Sequence, residues 1–202
     1  MTDEVQRIVG KRKIGLTGAG GVGKTTVFNL LNLDIPKLGS VTRRVWNRWG
    51  ITEVDQEKMS PEDKLKLQFD IFAEREKAEE EMTDGFFSDR TLLCHYAYCV
   101  FRNYGMISDD EFEKLEAKVA KNLSTYDWVI YFPMTFTPPA DGLRQTGNAY
   151  NACIDGLIFR FLEKHDIDYI RISNGTPEHR ANQIAILAES LVTFKLIHRA
   201  RY

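Results

Sequence analysis

The run Gly18, Ala19, Gly20, Gly21, Val22, Gly23, Lys24, Thr25 has the spacing of a Walker A loop, and Thr26 follows it. Glycines let the backbone curl so that successive N–H groups point at phosphate oxygens, which a Cβ would obstruct. In such a loop Lys24 reaches the β- and γ-phosphates of ATP, and the Thr25 hydroxyl sits on Mg²⁺. A helix beginning there adds the positive end of its dipole. The alternative is a glycine-rich turn that merely joins two elements.

Asp89 is the next candidate. Phe86, Phe87 and Ser88 lead into it and Arg90 follows, as at the end of a buried strand. After a Walker A loop, such an acid is suited to hold Mg²⁺ or to take a proton from an attacking hydroxyl. It also suits an N-cap for a helix starting near Thr91. The two roles are compatible, because a strand's C-terminal end faces the ligand crevice of an α/β sheet.

Arginines supply the remaining charge. Arg144 follows Asp141 in a stretch, 133–147, that holds three prolines and two glycines and lacks periodicity, so it reads as a loop. The planar fork of Arg144 suits a phosphate clamp on a closing lid; the plain alternative is a surface arginine. Arg43, Arg44 and Arg48 are interleaved with Trp46 and Trp49. That mixture could bind an anionic, stackable acceptor, or it could place the tryptophans in the core and the arginines in solvent.

These groups need a scaffold. Apolar strands are expected over about 12–17, 35–41, 85–89, 127–133 and 168–173. Helical spacing covers about 24–32, 42–50, 61–82, 90–104, 109–124, 146–164 and 177–198. The later strands are continuous apolar runs, as when helices cover both faces, so the alternation predicts a parallel α/β sheet. Segment 53–84 reads as a solvated helix packing one stripe (Leu65, Leu67, Phe69, Ile71, Phe72) inward. Thr176 and Pro177 make a helix start.

The chain's 202 residues suit one domain, with a helical acceptor-side segment at about 42–82 and the lid at 133–147. A net charge of −2 gives no bulk reason for nucleic-acid binding. No apolar run reaches membrane-spanning length and the first residues are polar, so a cytoplasmic protein without membrane contact is expected. Cys94, Cys99 and Cys153 form neither a disulfide framework nor a CxxC pair. Buried thiols are the simpler reading than a metal site with His95.

Taken in order, the motifs resemble a family of P-loop kinases that includes the nicotinamide riboside kinase domain of the bacterial NAD regulator and many phage-encoded relatives. The shared pieces are the Walker A loop, the arginines after the second strand (Arg43, Arg44) and the strand ending in Asp89 and Arg90. They continue with the aromatic helix around His95, Tyr96 and Tyr98, the stretch from Tyr126 to Pro133, Asp141 to Arg144, and Pro177 to Arg180. The resemblance implies a three-layer P-loop fold with a five-stranded parallel sheet ordered 2-3-1-4-5. It also implies Lys24, Thr25, Asp89 and Arg144 as the phosphoryl-transfer residues. Many relatives carry an acid beside the arginine after the second strand; here Ser40, Val41 and Thr42 precede Arg43.

The expected activity is ATP- and Mg²⁺-dependent transfer of a phosphoryl group to a nucleoside, nucleotide or modified base, by a monomer or homodimer. Arg43, Arg44, Arg48 and Arg90 are the acceptor-side candidates. A phage-type variant would act on hydroxymethylated bases in DNA. The rival is a partner-dependent P-loop ATPase. Neither the Asn/Thr-Lys-x-Asp motif of a GTPase nor an LSGGQ-like transporter signature occurs in the chain.

Overall fold

The computed structural model describes residues 12–31, 33, 35–52, 54–135, 148–172 and 174–199. Five parallel strands form one sheet in the order β2-β3-β1-β4-β5. They are β1 (Lys13–Thr17), β2 (Lys37–Leu38), β3 (Phe86–Ser88), β4 (Trp128–Tyr131) and β5 (Tyr169–Arg171). Seven α-helices accompany them among the described residues: α1 (Lys24–Leu30), α2 (Thr42–Trp49), α3 (Pro61–Glu80), α4 (Leu92–Arg102), α5 (Asp109–Leu123), α6 (Asn148–Lys164) and α7 (Pro177–Arg199). The expected order and class hold.

Why both faces are covered follows from strand geometry, because successive side chains point to opposite faces. Phe87 shares a face and the larger core with Ile14, Leu16 and Ile130, whereas its neighbour Phe86 joins a second cluster with Val45, Leu67 and Ile71. Gly15 lies between Ile14 and Leu16 and makes room for α4 and the Tyr126 ring. A Cβ there would sit 2.5 Å from both Thr91 Cγ2 and Tyr126 Cε1.

Three expectations need correction. The second strand is only two residues, not 35–41. Pro36 cannot donate to a ladder, its carbonyl accepts from Phe87 N, and the strand lies at the sheet edge, where proline is tolerated. Asp89 is not a helix cap: α4 starts at Leu92 with Thr91 as its N-cap, and the Thr91 hydroxyl donates instead to Thr17 Oγ1 at 3.1 Å. Finally, α3 is not a solvated helix with a plain apolar stripe. Phe69 is half-exposed, while Arg75, Glu79 and Gln68 are buried.

The buried charges of α3 are fully partnered. Arg75 donates to Glu79 Oε1 at 2.6 Å, to Ser88 Oγ at 2.7 Å and to Tyr126 Oη at 3.0 Å. Tyr126 Oη and Asn122 Nδ2 donate to the same glutamate at 2.7 and 2.8 Å. Removing one partner of a buried pair strands the other charge. Arg75→Met is therefore expected to destabilise the fold by about 3–5 kcal/mol in urea unfolding. Adding Glu79→Gln should recover part of that loss, because the stranded carboxylate is gone. A double variant no more stable than the single one would show that packing, not charge, dominates here.

Other helix starts match local chemistry. Ser60 caps α3, with Pro61 at the first position, and Ser108 with Glu111 forms a capping box on α5. Thr176 Oγ1 accepts from His179 N at 3.2 Å, so the expected start of α7 stands. Among the described residues, no helix is long and apolar enough to cross a membrane.

Candidate functional site

Central strand β1 ends at Thr17, and the chain turns at once into the glycine loop. Gly18 has φ 143° and its backbone presses on β4: a Cβ there would meet the Phe132 carbonyl oxygen at 2.4 Å. Gly23, at φ 90°, starts α1 from the left-handed region, so a residue with a side chain would be strained there. The loop thus lies at the C-terminal edge of the sheet between β3 and β4, where a parallel α/β fold opens its crevice.

Lys24 is buried beneath this loop, and its ammonium donates to the Gly18 carbonyl at 2.8 Å and to the Ala19 carbonyl. Thr25 and Thr26 are exposed on the first turn of α1. The Thr25 hydroxyl donates to Asp89 Oδ2 at 3.0 Å, joining the glycine loop to the end of β3. The other carboxylate oxygen, Asp89 Oδ1, is buried with no hydrogen-bond partner among the described residues. An anionic oxygen kept dry and unmatched suits a cation as its missing partner. Thr25 and Asp89 therefore fit as the residues that would hold Mg²⁺.

Arg90 lies next to Asp89, with its guanidinium 6.0 Å from the centre of the Tyr98 ring. The other arginine candidates lie elsewhere. Arg44 and Arg48, on α2, are exposed and pair with Glu74 of α3 at 3.4 and 3.0 Å; Arg43 is exposed on the same helix. Trp46 and Trp49 pack against the second core cluster, and Trp49 Nε1 donates to Asp70 at 2.9 Å. Asp141 and Arg144, with most of the 133–147 segment, lie outside the described residues. Its start is anchored: Met134 N donates to Asp155 Oδ2 at 3.1 Å. Cys94 and Cys99 are buried; Cys94 Sγ lies under the loop, 3.4 Å from Thr17 Oγ1 and 3.6 Å from the Gly18 carbonyl oxygen.

Sequence reasoning missed several residues that shape the loop. Arg180 of α7 reaches across 158 positions to donate to the Val22 carbonyl at 2.8 Å, with its guanidinium 5.9 Å from the Phe132 ring centre. Tyr98 and Asn151 bring α4 and α6 against Gly20, where an added Cβ would meet their side-chain oxygens at 2.8 and 3.6 Å. Motif order had marked Arg180 and Tyr98 only as parts of a pattern. Asn151 carried no signal.

Comparisons agree with this architecture. A family model described as an AAA domain matches residues 13–180. Comparison with curated proteins by sequence gave no match. Among solved structures, the chain is similar to a NadR protein in complex with NAD and AMP-PNP, at 14% identity and TM-score 0.59, over 89% of this chain and 49% of that one. The chain thus spans about half the length of that NadR protein. It is also similar to a deoxyadenosine kinase from M. mycoides with bound dATP, at 15% identity and TM-score 0.56, over 88% of this chain and 99% of that one. At such identities the likeness is one of fold, and the fold is that of P-loop kinases.

Proposed function

The chain belongs to the AAA-domain family, and from that premise we propose that it is an ATP- and Mg²⁺-dependent kinase whose acceptor is a nucleoside-type molecule. The observation that carries the reading is the pair Thr25–Asp89: a Walker A hydroxyl bonded to a strand-terminal carboxylate whose second oxygen is buried and unmatched. A loop that only joined two elements would need neither. The similar structures, a NadR protein with AMP-PNP and a deoxyadenosine kinase with dATP, support the same reading.

In this reading the glycine loop's N–H groups hold the phosphate chain, and Lys24 shifts its donors from Gly18 and Ala19 to the phosphate oxygens. Bound Mg²⁺ would neutralise charge on those oxygens. Asp89 accepts the proton of the attacking acceptor hydroxyl. As the acceptor oxygen bonds to the γ-phosphorus, the bond to the bridging oxygen breaks and ADP leaves. Arg144 is assigned by sequence alone to the clamp that closes over the transferring group. Catalysis is then positioning plus charge stabilisation.

The test is ADP release from ATP and Mg²⁺ against a panel of nucleosides, nucleotides and hydroxymethyluracil-containing DNA. Acceptor-dependent release with a phosphorylated product is the expected result. ATP turnover that ignores every acceptor yet responds to a protein partner would favour an ATPase instead.

A further inference from the structure

Three buried polar atoms on or beside α4 have no hydrogen-bond partner among the described residues: Gln56 Nε2, Arg90 Nε and His95 Nε2. Gln56 lies in a 3-10 turn (Val54–Lys58) between α2 and α3, and its Oε1 accepts from Arg102 at 2.7 Å. Arg102 stands 5.3 Å from the centre of the Tyr98 ring, on the helix that also carries His95. His95 meets Phe72 of α3 edge-on at 6.4 Å. Contacts therefore run from Gln56 through Arg102 and Tyr98 to Arg90 and Asp89, and so to Thr25.

Leaving one buried polar group unmatched costs about 1–3 kcal/mol. Two of these atoms lie on that run of contacts and the third on the same helix, beside a carboxylate in the same condition, and together they call for a ligand. Gln56 Nε2 and Arg90 Nε can only donate. Burial, with Arg90 and Arg75 nearby, holds the His95 imidazole well below its ordinary titration range, so it is neutral near pH 7. The set is rich in donors and adds no charge beyond the arginines.

We propose that Gln56, Arg90, His95 and Tyr98 form the acceptor seat, and that it takes a free nucleoside whose ring offers carbonyl or ring-nitrogen lone pairs, with its hydroxyl toward Asp89. This rests on the kinase reading and narrows it. The unmatched atoms are buried, so a ring must enter the fold to meet them, which a single small molecule does without bringing a strand behind it. The arginine face of α2 is a poorer rival: Arg44 and Arg48 are exposed and already share Glu74. The seat also lies beside Asp89, where the transferred group must arrive.

The experiment compares wild type, Gln56→Leu and His95→Phe. Calorimetry with a non-hydrolysable ATP analogue and Mg²⁺ comes first, then titration of free nucleosides, then ADP release with those nucleosides and with hydroxymethyluracil DNA. At least one free nucleoside should bind and be turned over, with DNA inert. Both variants should raise its KM by at least about tenfold, the scale of a lost polar readout. His95→Phe should also melt at or above the wild-type temperature, because it removes an unmatched buried atom. Unchanged KM in both variants, turnover of DNA alone, or analogue binding without any nucleoside binding would each overturn the seat. Failure of the wild type to bind the ATP analogue would instead sink the kinase reading and the seat with it.

Discussion

Lys24→Ala is expected to lower kcat for phosphoryl transfer by at least about a hundredfold, the scale of removing one donor aimed at developing charge. The loss should exceed any change in KM for ATP, because the ammonium meets charge that grows on the transferring group. Buried and bonded to the Gly18 and Ala19 carbonyls, Lys24 also ties the loop together. Alanine leaves those carbonyls without that donor, so a stability loss of about 1–3 kcal/mol is expected as well. The two effects separate cleanly: thermal melting reads the second, and turnover per folded molecule reads the first. Lys24→Arg should rescue little, since the wider fork has no room in so enclosed a position. A folded Lys24→Ala enzyme with near wild-type kcat on any acceptor would end this assignment.

The parts legible in the sequence were those set by neighbours along the chain. The glycine loop was readable because its conformation depends on local φ freedom, and Gly18 and Gly23 do adopt positive φ. The helix start at Thr176 depends on side chains within three residues and is bonded as such in the structure. Local signals also misled. Asp89 looked like a cap because it precedes a helix, yet Thr91 holds that place and the carboxylate turns to Thr25. Arg75 and Glu79 looked solvated because charges usually are. Their burial depends on Ser88, Tyr126 and Asn122, which arrive from three other parts of the chain. Gln56 and Asn151 were invisible for the same reason, and Arg180, marked only as part of a motif, showed no role: each acquires its place only when distant segments meet over the sheet.

Asp89→Asn should reduce turnover by at least about a hundredfold, the typical scale for a lost general base or metal partner. The structure separates this from a folding defect. Since Thr91, not Asp89, is the N-cap of α4, the substitution removes no cap. Asparagine keeps an oxygen that can accept from Thr25, so that 3.0 Å bond between loop and strand can survive. What asparagine cannot do is carry the negative charge or take a proton. The variant should also free the protein of an unmatched buried anion, so its melting temperature should stay within a few degrees of wild type or rise. Magnesium dependence then divides the two roles of the carboxylate. If Asp89 mainly holds the metal, excess Mg²⁺ should restore part of the activity; if it mainly takes the proton, turnover should stay low at any Mg²⁺ concentration. Chelation by EDTA should silence the wild type in either case. Normal turnover by a well-folded Asp89→Asn enzyme at low Mg²⁺ would remove the carboxylate from both roles and leave the Thr25 contact as mere packing.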